Sequence, residues 1–281
     1  MTVSAPTATA APTTGRVPGA AAMLRAVVRR GLRDQRRALV AWGVPLSAMS
    51  ALMALVWPSI EGSMNTLMEN YPEKLKDAFN ITAITNVEAY IDAEMLSFIV
   101  PLAVSFLAVR VVVRMLSGAE ERGYLDIVLT VPLGRRALVG GAVLVAAAAS
   151  AIVLAAMTVV TWLAGVLVGA DPSFLVLGRG MANVWPLAML FAGLAVLACG
   201  RLHTGGSVTA VAAGTLVAMY VVDLVGKLAS PVEPLRALSA FKYYGSAIHD
   251  GIDPVACAGM LAVAALLAVA GALWFERRDV L

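Results

Sequence analysis

Charged side chains are scarce in this sequence. Asp, Glu, Lys and Arg make up 14% of 281 residues, against about 25% in an ordinary soluble domain. So little charge cannot keep a chain this apolar in water, and a soluble globular domain is excluded. Cysteine is almost missing as well. Cys199 and Cys257 both lie inside apolar runs, with neither metal-ligand spacing nor a disulfide pattern, and they read as small core residues. The two histidines, His203 and His249, stand far apart in separate loops and offer no metal centre.

Catalytic motifs are lacking too. No G-x-x-x-x-G-K-[S/T] phosphate loop occurs, since Gly226-Lys227 is followed by Leu228 at the end of an apolar run. H-E-x-x-H and G-x-S-x-G are also missing. The chain is therefore not expected to be an enzyme by itself, nor to hold a cofactor or a metal. Its net charge of +3 and pI near 9.0 belong to basic residues that set membrane topology, so no nucleic-acid partner is expected.

What the sequence does have is length in its apolar runs. Hydrophobic residues make up 60% and the mean hydropathy is +0.84. The runs are roughly Ala38–Ile60, Met95–Val113, Ala137–Val168, Met181–Cys199, Ser207–Leu228 and Pro254–Phe275. Each reaches, or comes within a residue of, the about 20 residues that a spanning helix needs. The fold class expected is an all-α membrane protein with six transmembrane helices. Pro45, Pro101 and Pro186 fall within spans, where neighbouring helices can satisfy the freed carbonyls. The third run is longer than a bilayer requires, so it either starts in the interface or tilts.

Basic residues orient the bundle. With the N-terminus inside, fifteen Lys and Arg fall on the inner side and six on the outer side (Lys74, Lys76, Arg179, Lys227, Arg236 and Lys242). That asymmetry predicts both termini in the cytoplasm. Arg outnumbers Lys seventeen to four and Ala is abundant, as in GC-rich bacterial genomes, so a multi-pass protein of a bacterial cell membrane is expected.

Three regions follow from composition: 1–20 as a disordered cytoplasmic tail, 21–37 as a basic amphipathic interfacial helix, and 38–281 as the six-span domain. The tail is Ala-, Thr- and Pro-rich and cannot build a core. In the second region Leu24, Val27, Val28, Leu32 and Leu39 line one side, with Arg25, Arg29, Arg33, Arg36 and Arg37 around the rest. Such a helix lies on an anionic membrane surface; the plainer alternative is a basic stop before the first span. Outside, the acidic loop from Glu61 to Glu94 holds a helical stripe through Met64, Leu67, Met68, Tyr71, Leu75 and Phe79, divided at Pro72. The last outer loop, Ala229 to Asp253, carries Pro231, Pro234 and the rings of Phe241, Tyr243 and Tyr244. It is expected to dip partly into the membrane.

The densest charged island runs from Ser117 to Arg136, between the second and third spans. Ser117 and Glu120 fit a capping box that opens a short helix. Leu125, Val128 and Leu129 share one face of it, and Pro132 ends it. The apolar face suits a partner's groove, while Glu120, Glu121, Arg122 and Asp126 form a charged rim that fixes register. The alternative is a loop helix with no partner. Arg110 and Arg114 stand four residues apart near the inner end of the second span and either snorkel to headgroups or anchor the loop. Asp223 lies four residues before Lys227, the spacing of an ion pair; the other reading makes it a proton or cation carrier.

Glu120-Glu121-Arg122-Gly123-Tyr124-Leu125-Asp126-Ile127-Val128-Leu129-Thr130-Val131-Pro132-Leu133-Gly134-Arg135 resembles the E-x-G-T-L-(D/E)-x-L-L-S-x-P-x-x-R signature of type-2 ABC exporter permeases, with Tyr124 for Thr and Thr130 for Ser. Tyr71-Pro72-Glu73 is similar to that family's Y-P-E element. Leu238-Ser239-Ala240-Phe241-Lys242-Tyr243-Tyr244 resembles its L-S-P-F-x-Y-Y, with Ala240 where Pro is usual. The ending Phe275-Glu276-Arg277-Arg278-Asp279-Val280-Leu281 resembles its terminus.

The resemblance implies an ATP-driven export permease, including the kind that exports drugs and polyketide antibiotics. Two six-span subunits, identical or different, would form the pathway, with separate ABC ATP-binding subunits carrying ATP and Mg. Glu120, Glu121, Arg122, Gly123, Leu125, Asp126, Val128, Leu129, Pro132 and Arg135 would form the coupling helix that docks on the ATPase. Membrane lipid is the remaining partner, and a hydrophobic or amphipathic cargo is expected. The competing readings are an ion-coupled secondary transporter centred on Asp223 and a membrane assembly subunit without transport.

Overall fold

A computed structural model describes residues 20–69, 86–120, 135–202 and 204–276. About 90% of those residues are helical, and there is no strand among them. The long elements are α1 (Ala20–Glu69), α3 (Ile99–Glu120), α4 (Arg135–Leu167), α5 (Phe174–Arg201), α6 (Gly205–Leu228) and α8 (Pro254–Glu276). Between them lie α2 (Val87–Ile91), a π-helical turn (Asp92–Leu96), a 3₁₀ helix (Ser230–Leu238) and α7 (Ala240–Tyr244). Among the described residues six helices are long and apolar enough to cross a membrane, and each overlaps one of the six apolar runs. The all-α, six-span architecture expected from the sequence is the one observed.

α1 runs unbroken through the 37/38 boundary drawn above between interfacial helix and first span. Arg36-Arg37-Ala38-Leu39 are good helix formers, so nothing there stops propagation. At about 1.5 Å per residue its 50 residues extend about 75 Å, well beyond a hydrocarbon layer of about 30 Å. Its basic half keeps the predicted two-sidedness. Arg25, Arg29, Arg33, Arg36 and Arg37 are exposed, while Leu24, Val27, Val28, Leu32 and Leu39 are half-buried. Val27 packs on Gly141 of α4, and Gly31 sits against Val145 and Met115. The basic segment is thus seated on α4 and the end of α3.

Short connections force antiparallel neighbours. Between α4 and α5 the chain turns in six residues, with Gly169 at φ 73°, a left-handed position that favours glycine. The bundle therefore has two ends. One gathers the start of α1, the end of α3, the start of α4 and the α5–α6 turn. The other gathers α2, the π turn, the 3₁₀ helix and α7. The arginines counted as inner (Arg25 to Arg37, Arg110, Arg114, Arg201) fall toward the first end, and Arg179, Lys227, Arg236 and Lys242 toward the second.

α5 is the central element. It packs on α3, α4, α6 and α8, and 72% of its most apolar stretch is buried, against 17% for α8. The contact with α8 is backbone to backbone. A side-chain carbon added at Gly271 would lie 2.6 Å from backbone atoms of Val196 and Leu197, and one at Gly193 2.5 Å from the Ala264 carbonyl oxygen. Small residues permit this approach, and dispersion across it replaces the hydrophobic drive that lipid removes. Arg201 closes the end of the seam over the Trp274 ring, 4.2 Å from its centroid. On the other side α1 pairs with α4, where Thr161 donates to Ser50 Oγ at 2.7 Å.

Candidate functional site

The coupling segment lies mostly outside the described residues. Glu121, Arg122, Gly123, Leu125, Asp126, Val128, Leu129 and Pro132 fall in 121–134; Glu120 ends α3 and Arg135 opens α4. The capping box needs correcting. Ser117 does not open a helix but lies inside α3, which propagates from the preceding span. Its side chain is buried and bonds Cys199 Sγ at 3.4 Å, so the hydroxyl is committed to packing α3 against α5. Arg110 and Arg114 are exposed on the same helix. Of Tyr71-Pro72-Glu73 and the helical stripe around it, residues 70–85 are outside the described residues, while α1 carries the stripe's beginning through Glu69.

At the opposite end the described residues form a polar cluster that the sequence does not announce. Asn86 Oδ1 caps α2 by accepting from the Ala89 amide at 2.8 Å. Glu88, buried, accepts from the Ser173 amide at 2.8 Å and so ties α2 to the start of α5. The π turn follows, with the Ser97 amide donating to the Asp92 carbonyl at 2.8 Å. Such a turn inserts one extra residue and re-aims its side chains. Asp92, only 4% exposed, accepts from Ser246 Oγ and lies 3.8 Å from His249 Nε2.

The loop before α8 is held from several directions. Tyr244 donates its hydroxyl to the Leu96 carbonyl at 3.1 Å, Asn183 Nδ2 donates to the Tyr244 carbonyl at 2.7 Å, and Arg179 donates to the Ile248 carbonyl at 2.7 Å. Burial, then the Asp92 charge, push the Tyr244 phenol well above the ordinary 10.0. It stays a neutral donor.

Asp223 is the buried carboxylate of α6. Lys227 Nζ lies 3.1 Å from its Oδ2 and Arg236 Nε 3.0 Å from its Oδ1. The i,i+4 pair expected from spacing is present. Arg236 is the partner that the sequence hides, because it arrives from the 3₁₀ helix folding back along α6. The fold-back is deep. Ser239 Oγ donates to the Met219 carbonyl at 2.6 Å, nine residues before Leu228, or about 13 Å along the helix. Phe241 then meets Tyr220 edge-on, with centroids 5.4 Å apart. The loop thus folds back beside the last turns of α6.

Between these two carboxylates lies a cavity of about 130 Å³, lined by Asp92, Ser97, Tyr220, Asp223, Lys227, Arg236, Phe241, Lys242 and Tyr244 among others. Among the described residues no group of three or more His, Cys, Asp or Glu could hold a metal ion. Cys199 is buried and Cys257 is half-buried with its thiol 3.6 Å from Asn183 Oδ1; both are packing residues.

Among curated proteins no sequence matches this chain. A family model described as "Multidrug efflux system permease Rv1217c, C-terminal domain" matches residues 24–276. The match runs from the basic half of α1 to the end of α8, covering all six spans. With its six apolar helices, this multi-pass bacterial membrane protein belongs to that multidrug efflux permease family.

Proposed function

We propose that the chain is the permease subunit of an ATP-driven exporter of hydrophobic or amphipathic compounds. A second six-span unit would complete its pathway, and separate ATP-binding subunits, carrying ATP and Mg, would dock beneath it. The observation that carries this reading is the family match over residues 24–276, whose family is an efflux permease. It is joined by the coupling-helix resemblance of Glu120 to Arg135. The sequence holds no phosphate loop, so the energy source is expected in a partner. The end of α3 and the start of α4, which flank the charged segment, lie at the same end of the bundle as the arginines of α1, and positive-inside topology assigns such an end to the cytoplasm. A docking face of Leu125, Val128 and Leu129, rimmed by Glu120, Glu121, Arg122 and Asp126, supplies a groove-binding stripe with charges for register.

The secondary-transporter reading loses its main support at Asp223. Its two carboxylate oxygens are already engaged by Lys227 and Arg236, an arrangement that serves to hold the 3₁₀ helix against α6 and leaves neither oxygen open to a carried cation. ATP-dependent efflux of a fluorescent hydrophobic dye from inverted vesicles, with the cognate ATP-binding subunit co-expressed, tests the proposal. Leu129→Arg and Glu120→Arg are expected to insert normally yet abolish ATP-dependent transport and co-purification of the ATPase. Retained transport in both variants refutes the docking role. Transport by the unaltered protein that follows an imposed proton gradient instead of ATP refutes the whole reading.

A further inference from the structure

The cavity beside Asp223 lies at the end of the bundle away from the start of α1 and the end of α3, and its chemistry points to a ligand. Three cations, Lys227, Arg236 and Lys242, line it together with two carboxylates, Asp92 and Asp223. Both carboxylates already accept donors. Asp223 is shared by Lys227 and Arg236, while Asp92 takes the Ser246 hydroxyl with His249 nearby. Neither is turned to an incoming cation. Lys242 differs. Among the described residues no carboxylate lies within ion-pairing distance of it, and its ammonium lies 6.0 Å from the Tyr243 ring. The lining therefore has an excess of positive charge in a recess whose Asp223 wall is desolvated, where fields act more strongly than in water.

Size and depth narrow the ligand. A volume of about 130 Å³ is roughly tenfold what one water requires, so the recess admits a charged headgroup and not merely a bridging water. The 3₁₀ helix and α7 that form its wall leave Leu235, Leu238 and Tyr243 exposed next to Arg236 and Lys242. Apolar side chains beside a tyrosine and basic residues, at the end of a span, is the arrangement of the headgroup layer. An alkyl chain lying along those leucines would place its polar end at the cavity mouth.

We infer that this cavity binds the singly charged oxyanion of an amphiphile, a phosphodiester or carboxylate, with Lys242 as the contacting cation and Arg236 and Lys227 supplying the surrounding field. The group can come from an anionic lipid or from an exported acidic compound. The site stands whether or not an ATPase drives the chain, so failure of the coupling test leaves it untouched.

The test uses the full chain, purified in neutral detergent and then titrated by native mass spectrometry and thermal unfolding. The probes are phosphatidylglycerol, decanoate and, as a neutral control, diacylglycerol. The unaltered protein is expected to bind the anionic probes in preference to diacylglycerol. Lys242→Gln is expected to weaken that binding by about tenfold, the loss of one charge-assisted contact, and Lys242→Arg to restore it. Lys242 is exposed, so the unfolding midpoint without probe is expected to stay the same in both variants. Lys242-dependent binding of phosphatidylglycerol alone assigns the site to lipid, and of decanoate alone to an exported acid; either supports it. Equal binding of diacylglycerol, or undiminished anion binding in Lys242→Gln with an unchanged midpoint, overturns it.

Discussion

Replacing Asp223 by Asn removes one negative charge from between two cations and leaves the shape almost unchanged. Two charges about 3 Å apart attract by about 5 kcal/mol at an effective dielectric near 20, and Asp223 has two such partners, at 3.1 and 3.0 Å. Burying the carboxylate offsets most of that attraction. Both cations are partly solvated, with 24% and 22% of their side-chain surface exposed, so water takes up part of the loss. The net cost expected is about 2–3 kcal/mol, or a fall of about 5–10 °C in the unfolding midpoint for a chain of this size.

The assay is thermal unfolding in detergent of four proteins: unaltered, Asp223→Asn, Arg236→Gln and the double variant. Because the two side chains act together, the double variant is expected to lose about 1–2 kcal/mol less than the sum of the singles. Additive losses, or a midpoint of Asp223→Asn within a degree of the unaltered protein, would show that the ion pair does not hold the 3₁₀ helix to α6.

Gly271→Val would force backbone atoms of α5 and α8 apart, since the first added carbon already lies 2.6 Å from Val196. A loss of about 1–3 kcal/mol and reduced folded yield are expected, and an unaltered midpoint would refute the close contact. Tyr244 makes stability depend on alkaline pH. Its folded pKa is raised above 10.0, so the folded protein holds the proton more tightly than the unfolded chain. That contribution is whole below the unfolded pKa and is lost as pH rises through the folded one. As pH rises above about 10 the unfolding midpoint of the unaltered protein should fall more steeply than that of Tyr244→Phe; parallel slopes would refute it. Asn183→Leu removes the donor to the Tyr244 carbonyl and is expected to cost about 1–3 kcal/mol, read by the same unfolding assay.

The spans were legible because twenty apolar residues between charged ends admit one cheap conformation in a bilayer. Asp223–Lys227 was legible for a similarly local reason, since four residues is one helical turn. What the sequence hides is long-range or depends on how far a helix propagates. Arg236 finds Asp223 only because the 3₁₀ helix doubles back along α6. Ser117 looks like a cap, but a helix already formed in the span before it has no need to restart. Arg36 and Arg37 look like a boundary between two elements, yet arginines do not interrupt a helix and α1 continues through them. Asp92 falls within the stretch from Glu61 to Glu94 that reads as an acidic outer loop. The apolar neighbours Ala89, Tyr90, Ile91, Ala93, Met95 and Leu96, all buried, were the available sign that it turns inward.

The glycine seam between α5 and α8 bears on how such a bundle changes shape. Where main chains touch, neither helix can slide or roll without driving carbonyls into each other, so the two form one mechanical unit. α1 and α4 form a second, through a long side-chain interface of their own. Alternation between two conformations then becomes a relative displacement of two rigid pairs, with α3 and α6 as the elements that accommodate it. Cysteines introduced at positions 193 and 264 should cross-link equally in every state of the transport cycle, whereas pairs bridging α3 and α6 should not.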